Sequence, residues 1–171
     1  MKKVTVLVTF VALFLLGFNA NAQTKIKLAH INANELMEVM PGMDTAKKAL
    51  QDLATQLEDE FKAMSMEFEK KYADLDREMG VLPQSKIQAR KQDLQDLQSR
   101  IEKFREDAQA ELQEKESDLL KPLSDRLKNA INEVAKENGY NYVFNSGVGV
   151  LLYYDESDDI LNLVKKKLGI K

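Results

Sequence analysis

The chain has no cysteine, no tryptophan and a single histidine, His30. Without cysteine there is no disulfide, no thiolate metal centre, no cysteine nucleophile and no lipid-modified cysteine anchor. One histidine is too few for a histidine-based metal cluster or a Ser-His-Asp triad. Proline and glycine are scarce as well, three and seven in 171 residues, so few positions force a helix to stop. Neither sign of charge dominates: 25 Lys and Arg against 28 Asp and Glu give a net charge of -3. No basic face stands out to take nucleic acid, and no glycine loop is present to cradle phosphate. What remains is a chain 44% apolar and 31% charged, the balance of long helices with charged outer faces.

One long apolar run exists, at the start. Lys2 and Lys3 precede Val4–Phe18, where only Thr5, Thr9 and Gly17 are not apolar, and Ala20-Asn21-Ala22 follows. A bilayer span needs about 20 apolar residues, and this run is shorter. Residues 1–22 therefore read as a secretory signal cleaved after Ala22. The mature chain, Gln23–Lys171, is expected to be exported, into the periplasm in a double-membrane bacterium.

The few breakers partition that mature chain. Pro41-Gly42 is one break, and Gly80 with Pro83 is a second. Met43–Met79 and Gln84–Lys121 contain neither residue and are rich in strong helix formers. In the first segment an apolar stripe runs through Met43, Ala46, Leu50, Leu53, Leu57, Phe61, Met64, Phe68, Tyr72, Leu75 and Met79 at steps of three and four. In the second it runs through Ile87, Leu94, Leu97, Ile101, Phe104, Ala108, Leu112 and Leu119. The turn between them is short enough to require antiparallel neighbours. In such a hairpin, facing residue numbers have a constant sum. Leu75 with Ile87, Phe68 with Leu94, Phe61 with Ile101 and Leu50 with Leu112 all sum to 162. A single register thus matches both stripes, and the arm should extend about 55 Å.

The remainder reads as a small mixed body. Lys25–Ile31 is strand-like, Asn34–Met40 a short helix, and after the arm returns Leu123, Leu127, Ile131 and Val134 continue a helix to Asn138, capped by Gly139. Tyr140–Ser146 and Val148–Tyr154 read as strands, and a last helix is expected with Ser157 as N-cap and Asp158 and Asp159 in its first turn. The expected class is α+β: an antiparallel helical hairpin at 43–119, turning at 80–83, projecting from a body made of 23–42 and 120–171. Val150, Leu151, Leu152, Tyr153 and Tyr154 require burial on both faces of a sheet too small to provide it. Several bodies are therefore expected to close their sheets together through these residues.

With these segments in order, the mature chain resembles the Skp/OmpH family of periplasmic chaperones. The likeness rests on Ile26-Lys27-Leu28-Ala29-His30-Ile31-Asn32, on Met40-Pro41-Gly42, on Lys121-Pro122-Leu123 through Gly139-Tyr140, and on Asp159-Ile160. The resemblance implies a homotrimer whose bodies join into a β-barrel. It also implies helical arms enclosing a cavity for unfolded outer-membrane proteins, an ATP-independent holdase without cofactor or enzymatic chemistry. One departure is visible. Known relatives have strongly basic arm tips linked to anionic lipid or lipopolysaccharide, whereas residues 67–93 here hold six acids and six bases. Membrane contact is thus not expected.

Met66, Met79, Val81 and Leu82 are the candidate client-contact residues, since thioethers and exposed apolar tips suit loose binding of varied sequences. The competing reading is that they pack locally at the hairpin end. Phe68 and Tyr72 read as seam residues, His30 as structural, and Asp155, Glu156, Asp158 and Asp159 as helix-start acids rather than a calcium site. A scaffold or spacer that binds one defined partner is the alternative function.

Overall fold

A computed structural model describes residues 26–170. The expected signal segment lies outside the described residues. Strand β1 (Leu28–Ile31) and helix α1 (Ala33–Glu38) lead into α2 (Met43–Glu78), and α3 (Gln84–Asn138) returns. Strand β2 (Tyr142–Asn145), two short 3-10 turns and helix α4 (Leu161–Lys167) complete the chain.

The arm forms where breakers are absent. Helix α2 begins at Gly42, whose φ of 102° is left-handed and open to glycine without strain. The helix runs 36 residues, about 54 Å at 1.5 Å per residue. It ends at a tight turn in which the Val81 and Leu82 amides both donate to the Glu78 carbonyl. Pro83, extended at ψ 146°, opens α3, where its missing N–H costs nothing. Leu75, Ile87 and Leu94 form a buried cluster near the tip, with Phe68 and Leu82 packed on it. The expected facings Leu75–Ile87 and Phe68–Leu94 therefore lie within one cluster.

The helix continues past Pro122 as expected: α3 runs without interruption to Asn138, 55 residues in all. A proline at this position removes the hydrogen bond to the carbonyl four residues back, that of Asp118. Asp118 is exposed, so water can take that bond and the helix survives. The arm and the body thus share one helix.

In the body, β1 and β2 pair in parallel, Leu28 opposite Tyr142 and Ile31 opposite Asn145. Parallel neighbours need a long crossover, and here the crossover is the whole arm. The core gathers Ala29 and Ile31 from β1, Leu36 from α1, Leu127, Ala130 and Val134 from α3, and Ile160, Val164 and Leu168 around α4.

Two expectations fail here. Val148–Tyr154 is not a strand: Ser146–Val148 is a 3-10 turn and the residues after it are irregular. A strand needs a partner edge, and among the described residues the one isolated bridge to β1, His30 with Asp159, falls beyond this region. Likewise, Ser157 does not cap the last helix. It lies in a 3-10 turn capped by Asp155, and α4 begins only after Ile160. The Ile160 amide is committed to the His30 carbonyl, which holds the chain extended until that point. Asp159 instead accepts from the Leu161 amide at 2.8 Å.

Candidate functional site

Two surfaces expose apolar side chains, one at the arm tip and one on the body. At the tip, Val81 is 82% exposed, Met66 is 60% exposed, and Met79 also faces solvent. Leu82 differs, because it folds back onto the Leu75–Ile87–Leu94 cluster. Tyr72 was expected in the seam but is 60% exposed. It stacks along Phe68 at 6.4 Å between ring centroids. Each step of four advances about 40° around a helix, so the step from Phe68 carries Tyr72 to the flank of the stripe, and the following step of three brings Leu75 back into the contact line. Beside it lies an open cleft of about 350 Å³ floored by Phe68, Leu75, Met79 and Leu94.

The opposite side of the tip is ionic. Glu78 meets Arg90 across the hairpin at 2.7 Å, Asp74 pairs with Arg77, and Lys71 reaches Glu67 at 2.7 Å. The Lys71 hydrogen bond and charge hold the Glu67 carboxyl below its ordinary pKa. The two sides of one hairpin end therefore present opposite chemistries.

On the body, most of the outer face of the two-stranded sheet is bare. Leu28, Tyr142 and Phe144 point away from the core and are exposed, and the two aromatic rings stack at 6.3 Å. Next to them, Leu152 is fully exposed, as are most of the Val150 and Tyr153 side chains. Leu151 is half-buried. Tyr154 is partly anchored, its ring 4.2 Å from that of His30. His30 is buried at 4% exposure, and its Nε2 lies 3.0 Å from the Asp155 carbonyl. Its role here is to tie β1 to the segment that follows Leu152. The Asp155 carboxyl, held below its ordinary pKa chiefly by the Ser157 amide, stabilises the same corner.

The Leu28, Tyr142 and Phe144 face escaped the sequence reading. The signal was the alternation of Tyr142 and Phe144 with Val143, which marks one face of a strand but not whether that face looks inward. Among the described residues, no group of three or more His, Asp or Glu is placed to hold a metal ion. No described helix is long and apolar enough to cross a membrane. The clustered asparagines Asn32, Asn141 and Asn145 are used locally, accepting from the amides of Glu35, Lys27 and Ala33.

The arrangement can be compared with known proteins. Residues 27–168 match the family described as Outer membrane protein (OmpH-like). A crystal structure of an OmpH-like protein from Caulobacter crescentus CB15, provisionally described as an outer membrane chaperone, superposes with a TM-score of 0.72. The identity is 13%, over 84% of this chain and 83% of that one, a likeness of fold. No match is found among curated proteins.

Proposed function

The chain belongs to the OmpH-like outer membrane protein family, and from that membership we propose that it is an ATP-independent holdase for unfolded outer-membrane proteins. The mature form, cleaved after Ala22, works in the periplasm. Several bodies associate, as a homotrimer, through Val150–Tyr154 and the bare sheet face, and their arms enclose a cavity. The observation that carries this reading is the division of the molecule. A 36-residue helix and the facing part of α3 extend from a body that leaves its own apolar surface uncovered. An enzyme core gains nothing from such an arm. A cage of arms, by contrast, holds a chain through many weak contacts at high effective concentration. A spacer reading would need a docking surface for one defined partner, whereas the arm offers shallow clefts and scattered exposed side chains.

Over residues 43–121 the arm carries 19 acids and 14 bases, so client capture rests on apolar contact at Met66, Met79 and Val81 more than on charge. Leu82 supports the tip from within. The test is light scattering of a urea-diluted outer-membrane β-barrel protein, with the mature chain added at low and at high salt. Suppression that persists at high salt is expected, since salt screens exposed charge pairs and leaves apolar burial intact. Unchanged aggregation at molar excess would sink the holdase reading. Suppression lost at high salt would keep the function and refute its apolar basis.

A further inference from the structure

A second cleft lies farther down the arm. Its volume is about 310 Å³, and its floor is Leu57, Phe61, Phe104 and Leu112. It opens where Ala54 and Ala108 oppose each other, the smallest pair in the seam. On α2 the residues that line the two clefts, Ala54, Glu58, Phe61, Phe68, Tyr72 and Met79, recur mostly three or four apart. On α3, Lys91, Gln95, Gln98, Arg105 and Gln109 do the same. Residues so spaced share one face of a helix, so both clefts open on one side of the hairpin. The ionic cluster of Lys71, Asp74, Glu78, Arg90 and Asp93 occupies the other side.

The two clefts also share a rim chemistry. Each has one acid and one base, Asp76 with Lys91 at the tip and Glu58 with Arg105 below. The Arg105 guanidinium covers part of the Phe61 ring at 5.9 Å. Glutamine amides complete the rims, Gln95 and Gln98 above and Gln109 below. Both clefts are thus locally neutral in an arm that is acidic overall, and they offer side-chain amides that donate and accept equally well. That combination fits an uncharged apolar side chain carried on an unpaired backbone. It does not fit a charged ligand. Phe61 and Tyr72 stand about 16 Å apart along the arm, between the roughly 13 Å and roughly 20 Å that separate side chains four and six positions apart on one face of an extended chain. A membrane β-strand of about ten residues, apolar on alternate positions, is long enough to reach both.

We propose that the cleft side of the arm is the client-bearing side, and that each cleft takes one apolar side chain of the same extended segment of an unfolded β-barrel protein. The proposal rests on the holdase reading and sharpens it, because it excludes the ionic side of the arm from direct binding. The native absence of cysteine permits single labels on the full mature chain. An environment-sensitive fluorophore is placed at Q98C, at Q109C or, on the ionic side, at D93C, all three being exposed positions. The probe is a urea-unfolded outer-membrane β-barrel protein, and scattering is recorded on the same samples. A blue shift on adding client at both cleft positions, with none at Asp93, is the expected result. An equal shift at Asp93 overturns the proposal. So does a shift that rises with the concentration of the chain alone, which would seat a second copy in the clefts. Suppressed scattering with no shift at Gln98 or Gln109 overturns the assignment and leaves the holdase function standing. Unsuppressed scattering by the unlabelled chain removes the holdase reading itself.

Discussion

The body and the arm bury apolar surface in opposite ways. Ten buried residues of the body converge in one cluster drawn from β1, α1, α3 and α4, so each is surrounded. The tip cluster contains three buried residues between two helices, and the seam below it is mostly half-buried. A core surrounded on all sides resists local opening, whereas a two-helix seam with clefts along one side can open in part. The lesson is a division of labour within one chain. The body fixes the position of the arm, and the arm stays accessible enough to receive another polypeptide.

The sharpest way to break this comparison is to remove a side chain from each region. Leu36 is fully buried, and Leu36→Ala should cost about 3 kcal/mol, within the range for a leucine truncated in a closed core. Urea denaturation of the mature chain should show it as a shift of the whole transition. Leu97, equally buried, sits in the arm. Leu97→Ala should cost about 2 kcal/mol, because its cavity lies along an open seam that can relax. Hydrogen exchange should locate that loss in arm amides and spare those of β1 and β2. Equal acceleration of body amides would show that the two regions unfold as one.

Smaller effects sharpen the body's side of the comparison. A Cβ on Gly147 would approach the Asn32 Oδ1 to 2.3 Å. That oxygen caps α1 by accepting from the Glu35 amide. Gly147→Ala should therefore cost about 1 kcal/mol, the worth of a lost helix cap, read as a lowered urea midpoint. The smallest effect concerns pH. The Asp155 carboxyl is held below its ordinary value by the Ser157 amide and hydroxyl. Its contribution is complete above the ordinary carboxylate value and is lost as pH falls through the depressed folded value. Acid titration of stability should be slightly shallower for Asp155→Asn than for the unchanged chain. An identical slope would remove this corner from the account.

Much of this architecture was legible before any coordinates. The constant sum of facing residue numbers set the hairpin register, because a long arm repeats one local rule many times. Pro41-Gly42 and Gly80 with Pro83 marked its ends for the same local reason. The body was less legible, since its elements depend on tertiary partners. Ile160 bonds His30 across 130 residues of chain, and no local signal at Ser157 reports that commitment. Residues 148–154 carried the pattern of a strand, yet a strand requires an edge that a single chain does not supply. At the candidate site, the exposure of Met66 was legible from its place off the seam and that of Val81 from its place at the turn. Tyr72 and the two clefts were missed, because the cover over a side chain some tens of degrees off the stripe, and the gap left between Ala54 and Ala108, arise only once two helices are packed.

The most direct test of this division of labour is sedimentation of the mature chain alone and with a urea-diluted outer-membrane β-barrel protein. The chain alone should sediment as one discrete oligomer. With client it should form a soluble complex with the same number of chaperone subunits, and Leu152→Asp should yield smaller species that leave the client in the pellet. A folded monomer that keeps the client soluble would contradict the account.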